Sequence, residues 1–101
     1  MFLIQILAPL HDNHQQPFIE GEFTQMRSEL TERFGGLTVY TRAPAEGLWK
    51  QNGNQTSDDI VIFEIMAPTL DEVWWKEYRY ILQDRFRQES IIIRAQGMQL
   101  L

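Results

Sequence analysis

The chain contains no cysteine, so disulfides, thiolate metal ligands and thiol nucleophiles are all excluded. That fits a reducing compartment, and a cytoplasmic protein is the expectation. Basic residues are also scarce, with 9 Lys and Arg against 14 Asp and Glu and a formal net charge of -5. Nucleic acid and anionic membranes need clustered cations that release counterions or offset lipid charge. Here the cations mostly share a segment with acids, so neither partner is expected. Proline and glycine number only 4 and 6 in 101 residues, which leaves no room for a low-complexity linker. Long apolar runs are missing too. Residues 1–10 carry Gln5, stop at Pro9 and have no preceding Lys or Arg, the first basic residue being Arg27. Such a run is too short and wrongly flanked for a span or a targeting signal, and it reads as a buried strand.

What the chain does have is apolar surface. Its hydrophobic content is 44% and its aromatic content 12%, more than a disordered chain carries. A chain of this length buries roughly 65% of its unfolded surface. One domain over residues 1–101 is therefore expected.

Local pattern gives six elements. Residues 2–8 are apolar and β-favouring, and Pro9 closes them. A polar loop with His11 and His14 follows. A helix from about Glu20 to Phe34 is marked by Ile19, Phe23, Met26, Leu30 and Phe34, which fall within an arc of about 80°. Gly35-Gly36 supplies its left-handed C-cap. Residues 37–42 read as a strand, bent or bulged at 43–47 and resuming at 48–50. Asn52-Gly53 suits a turn, and 59–66 returns as a strand, making a long hairpin. Thr69 and Glu72 have the spacing of a capping box for a helix to about Arg87. Leu70, Trp74, Tyr78, Ile81 and Leu82 share one face of that helix, and Trp75 and Phe86 widen it. Trp75 and Tyr80 point off the stripe as candidate interface anchors, while Lys76, Arg79 and Gln83 fall on its solvated side. Arg85 lies within the apolar arc, and Glu89, four residues on, is its candidate partner. Residues 90–95 form the last strand.

The order strand, helix, strand, strand, helix, strand predicts an α+β, ferredoxin-like βαββαβ fold. It has a four-stranded antiparallel sheet in spatial order 4-1-3-2, with two helices on one face. Strand alternation then places Phe2, Ile4, Ile6, Val39, Val61, Phe63, Ile65, Ile91 and Ile93 against the helices. Leu3, Gln5, Leu7, Thr38, Tyr40, Arg42, Ile60, Ile62, Glu64, Ile92 and Arg94 fall on the other face. Its aliphatics would form a wet apolar patch of a kind soluble proteins avoid. A homodimer through this helix-free sheet face is the expected remedy.

Glu64 stands out there, since a covered carboxylate either pairs with Arg42 or Arg94 or has its pKa raised. Gln5, Tyr40, Arg42, Glu64 and Arg94, with Trp49 on the hairpin, form the candidate ligand-binding set. An ion pair that fixes interface register would use the same residues. No glycine-rich phosphate loop or nucleophile elbow is present. His11, Asp12 and His14 lack a third or fourth ligand nearby, so neither a metal nor a cofactor is expected.

Three segments together resemble a pattern, F-x-G-L-T-V … G-x-W … F-x-Q-E-S-V, of a family of small bacterial proteins of unknown function. They are Phe34-Gly35-Gly36-Leu37-Thr38-Val39, Gly47-Leu48-Trp49 and Phe86-Arg87-Gln88-Glu89-Ser90-Ile91. The resemblance implies an α/β domain and a bacterial source, but no activity. The inferred fold is also similar to that of cofactor-free dimeric α/β-barrel proteins, which include monooxygenases and lactone isomerases, although none of their catalytic motifs is present. The leading expectation is a non-catalytic ligand- or partner-binding module. The alternative is a cofactor-free enzyme with Glu64 as base and Tyr40 or Arg42 holding an oxyanion.

Overall fold

A computed structural model describes the backbone of residues 1–9, 20–51 and 54–101, and the side chains of residues 1–9, 21–40 and 60–101. The loop with His11 and His14, Ile19, the Asn52-Gly53 turn and the side chains of Arg42 and Trp49 lie outside these residues. The elements run β1 (Phe2–Pro9), α1 (Glu20–Phe34), β2 (Thr38–Gln51), β3 (Asn54–Ala67), α2 (Glu72–Arg85) and β4 (Ile92–Gly97). One sheet holds all four strands in the order β2-β3-β1-β4, with every neighbouring pair antiparallel. This is the ferredoxin-like α+β arrangement expected from the pattern.

The alternation rule holds on the inner face. Ile4, Ile6, Val61, Phe63, Ile65 and Ile91 are buried with Met26 and Leu30 of α1 and Trp75, Tyr78 and Leu82 of α2, while Phe2, Val39 and Ile93 pack against that cluster. Phe23 of α1 stacks on Phe63 at a centroid distance of 6.1 Å and meets Phe86 at 5.3 Å. Gly35 takes the left-handed conformation after α1, with φ +78°, where a side chain would be strained.

Several local expectations are corrected. The N-cap of α2 is Asp71, whose carboxylate accepts from the Trp74 amide at 3.1 Å. Aspartate caps at least as well as threonine, so the helix starts later than a Thr69 box would set it. The buried stripe of α2 is Trp75, Tyr78, Leu82 and Phe86, whereas Ile81 is 50% exposed. Trp74 is half-buried at the border, stacked on Tyr78 at 4.8 Å with the Arg33 guanidinium 4.2 Å from its ring. Gln83 is not fully solvated either, since its side-chain oxygen accepts from the Ile91 amide at 3.4 Å. The β2 and β3 strands are each longer than the β-favouring runs suggest. The predicted interruption appears as a register shift between Tyr40 and Ala45, and a bulge lets pairing resume beyond it.

Candidate functional site

On the helix-free face the register sets polar residues side by side. Gln5 of β1 lies opposite Glu64 of β3 on one side and Arg94 of β4 on the other. Thr38 of β2 faces Glu64 from the remaining side. Strand spacing makes such neighbours touch. Gln5 donates from Nε2 to Glu64 Oε1 at 2.9 Å, and Arg94 donates from Nε to Gln5 Oε1 at 2.8 Å. Tyr40, next along β2, reaches diagonally to donate its hydroxyl to Glu64 Oε2 at 3.1 Å. The result is a polar chain, Arg94–Gln5–Glu64–Tyr40, to which each of the four strands contributes one residue.

The chain has a direction. Arg94 can only donate, so it turns the Gln5 carbonyl towards itself and the amide nitrogen towards Glu64. Both Glu64 oxygens then accept from neutral donors. The sequence-level alternatives for Glu64 were a direct ion pair with Arg94 or Arg42, or a raised pKa. For Arg94 the structure differs, because Gln5 is interposed, and among the described residues Glu64 has no ion-pair partner. The Tyr40 phenol is held above its ordinary value of 10.0, first by its hydrogen bond to Glu64 and then by the charge of that carboxylate. At neutral pH it therefore remains a proton-bearing donor.

Below this polar row, Tyr40, Ile62, Leu7 and Ile92 occupy one line across the sheet. Ile62, Leu7 and Ile92 are half-buried, Tyr40 is 46% exposed and Ile60 is buried. Of the expected patch only Ile60 is buried, and Leu3 is half-buried on the other side of the polar row beside the exposed Met66, so apolar surface borders the carboxylate on both sides. A carboxylate with two fixed donors, an open aromatic edge and an apolar shelf can attract a small cationic or proton-bearing ligand. Among the described residues no group of three or more His, Asp or Glu is placed to hold a metal ion.

Of the candidate set, Gln5, Tyr40, Glu64 and Arg94 come together, while the side chains of Arg42 and Trp49 lie outside the described residues. A second polar cluster between the helices was missed. Arg85 of α2 grips Glu29 of α1 through two bonds, 2.6 and 3.1 Å long, and Tyr78 donates to the same carboxylate at 3.2 Å. Arg85 therefore finds its partner on the other helix and not at Glu89. Burial and the nearby Glu29 charge push the Tyr78 phenol well above its ordinary range, against the opposing pull of Arg85.

No family model matches the chain, and no curated protein matches it either. Among solved structures, it is similar to a phage SAM lyase in complex with S-methyl-5'-thioadenosine. The TM-score is 0.63 and the identity 16%, over 94% of this chain and 79% of that one. The apo state of a phage SAM lyase gives 0.61 and 19%, over 94% and 78%. At these identities the likeness establishes a shared fold. It also corrects the leading sequence-level expectation. Both of these structures are of an enzyme, which bears against the non-catalytic module and favours the alternative of an enzyme. Among the described residues no helix is long and apolar enough to cross a membrane.

Proposed function

We propose that the protein is an enzyme whose reaction centre is Glu64 on the helix-free sheet face, and that it cleaves a carbon–sulfur bond in a sulfonium nucleoside of the S-adenosylmethionine type. The observation that carries this reading is a carboxylate held by two neutral donors, Gln5 and Tyr40, with the nearest described guanidinium set one residue back. Such a carboxylate keeps its attraction for a cation. The half-exposed Tyr40 ring adds an aromatic surface beside the carboxylate where a sulfonium can rest, and a net charge of -5 draws cations in from a distance. The neighbours' SAM lyase activity supplies the substrate class.

Glu64 acts as the base. It takes a proton from the carbon adjacent to the one bonded to sulfur, and the C–H electron pair becomes a carbon–carbon double bond. The C–S pair retreats to sulfur, which leaves as a neutral thioether, here S-methyl-5'-thioadenosine. Gln5 fixes one Glu64 oxygen, Arg94 fixes Gln5, Tyr40 holds the other oxygen, and the protonated Glu64 gives its proton to water once the products leave.

The test is to incubate the purified chain with S-adenosylmethionine and follow both products by chromatography and mass. Release of the thioether with an unsaturated amino acid is expected. Glu64→Gln should lower turnover by about 100-fold or more, the usual worth of a positioned base, with folding intact. A lactone co-product would mean that the substrate's own carboxylate displaces sulfur and that Glu64 only stabilises charge. No thioether at all would end the lyase reading.

A flat, open sheet leaves a reaction centre in bulk water, where its electrostatics are weak. We therefore also propose that a second copy covers this face, with Leu7, Ile62 and Ile92 at the contact, as a homodimer in the cytoplasm. A bacterial or phage source fits both the sequence pattern and the structural neighbours.

A further inference from the structure

On the opposite side of the sheet a cleft of about 320 Å³ opens between α2 and the edge strand β4, with Lys76, Arg79 and Arg94 among its lining residues and Glu72 as the only acid among the described residues that line it. Its apolar walls include Trp75 and Ile93. Lys76 and Arg79 bring two cations to one carboxylate there, with Arg94, whose side chain bonds Gln5 on the other face, at the rim, in a chain whose net charge is -5. Lys76 and Arg79 lie three residues apart on α2, and that spacing puts them on one helix face. Glu72 and Lys76 sit at i,i+4, yet no ion pair forms between them among the described residues.

Arg79 is the decisive member. The helical pattern assigned it to solvent, but it is half-buried. Its Nε is closed off from water and has no acceptor among the described residues. The guanidinium lies 5.3 Å from the Tyr80 ring centroid, a contact that restrains it and makes no use of its hydrogen-bond donors. An atom closed to water is closed to an oxyanion in the cleft too, so the donors Arg79 can offer there are its terminal guanidinium nitrogens. A guanidinium beside an ammonium and an apolar wall matches an oxyanion carried on a small flat apolar body. The cleft volume sits at the lower end of the range of small-molecule sites, enough for a single ring with its anionic group. Arg94 reaches the rim from β4 while its own Nε is engaged by Gln5.

We propose that the α2/β4 cleft is a second binding site, for a small organic oxyanion such as an aryl phosphate or an aryl carboxylate. The site lies across the sheet from Glu64, shares only Arg94 with that face, and does not depend on the lyase reading.

The test is titration of the full chain with phenyl phosphate, benzoate and inorganic phosphate, followed by backbone amide shifts and by calorimetry. Phenyl phosphate or benzoate should perturb the amides of residues 76, 79 and 93–95, and the tighter of the two identifies the anionic group. Inorganic phosphate, which cannot use the Trp75 and Ile93 wall, should bind at least about tenfold more weakly. Arg79→Gln should weaken phenyl phosphate by about tenfold or more, the usual effect of losing a charge-assisted bond. Lys76→Gln, at an exposed position, should weaken it several-fold, and this variant carries the test if Arg79→Gln fails to fold. Absence of shifts in the cleft at millimolar ligand would overturn the proposal. So would binding unchanged in both variants, or equal binding of inorganic and phenyl phosphate.

Discussion

Tyr40 gives its hydroxyl proton to a hydrogen bond with Glu64, and the carboxylate charge makes loss of that proton harder. The native state therefore favours the neutral phenol. Its contribution to stability is complete below pH 10 and is lost as pH rises through the higher native value. In an ultraviolet titration of phenolate, the transition absent from Tyr40→Phe should lie above 10, and Glu64→Gln should bring it down. A Tyr40 transition unmoved by that substitution would break the link between the two residues. At this scale the site was largely legible, because the two-residue period of a strand assigns Gln5, Glu64 and Arg94 to one face without any coordinates. What the period could not supply was the diagonal reach of Tyr40 or the insertion of Gln5 between charge and countercharge. Those depend on which residues stand opposite one another across strands.

The elements are joined by polar as well as apolar contacts. The Arg85 side chain is 14% exposed and that of Glu29 is 37% exposed, so the two ends of the clamp between α1 and α2 are not equivalent. Glu29→Ala strands a guanidinium that water barely reaches and should cost about 2–3 kcal/mol, measured by urea denaturation. Arg85→Met leaves a carboxylate that water can solvate, adds apolar contact, and should cost about 1 kcal/mol or less. Equal losses would mean that the clamp is no more than a surface pair. This contact was illegible in the sequence, since helical spacing ranks partners only within one helix and pointed to Glu89. The α2 stripe was misplaced for a related reason. Trp74 and Trp75 are equally apolar, and Phe34 meets both, edge-on to Trp74 at 5.4 Å and stacked on Trp75 at 5.3 Å. Which one faces inward therefore depends on packing that helical spacing does not encode.

For the whole molecule, the order of helices and strands was enough to give the topology, because right-handed crossovers leave few ways to close two split βαβ units. Composition says less about assembly. The half-buried row of Leu7, Ile62 and Ile92 is the basis for the proposed dimer. Light scattering across concentration should give twice the chain mass, with Glu64→Gln still dimeric. A monomer at all concentrations would leave the reaction centre open and remove that part of the proposal. The cleft beside β4 was hidden at the sequence level, as helical spacing assigned Lys76 and Arg79 to solvent before β4 was placed next to them.

The polar chain across the sheet also sets an order in time. Tyr40 and Glu64 are separated by 24 residues and belong to one hairpin, whereas Arg94 and Gln5 are separated by 89. Closing the longer loop costs about 1 kcal/mol more in chain entropy, and non-local strand pairing is slow in its own right. The hairpin contact should therefore mature first and the β1–β4 contact last. On refolding, helical circular dichroism should recover before turnover does, so that an incompletely folded chain passes its final step without working chemistry.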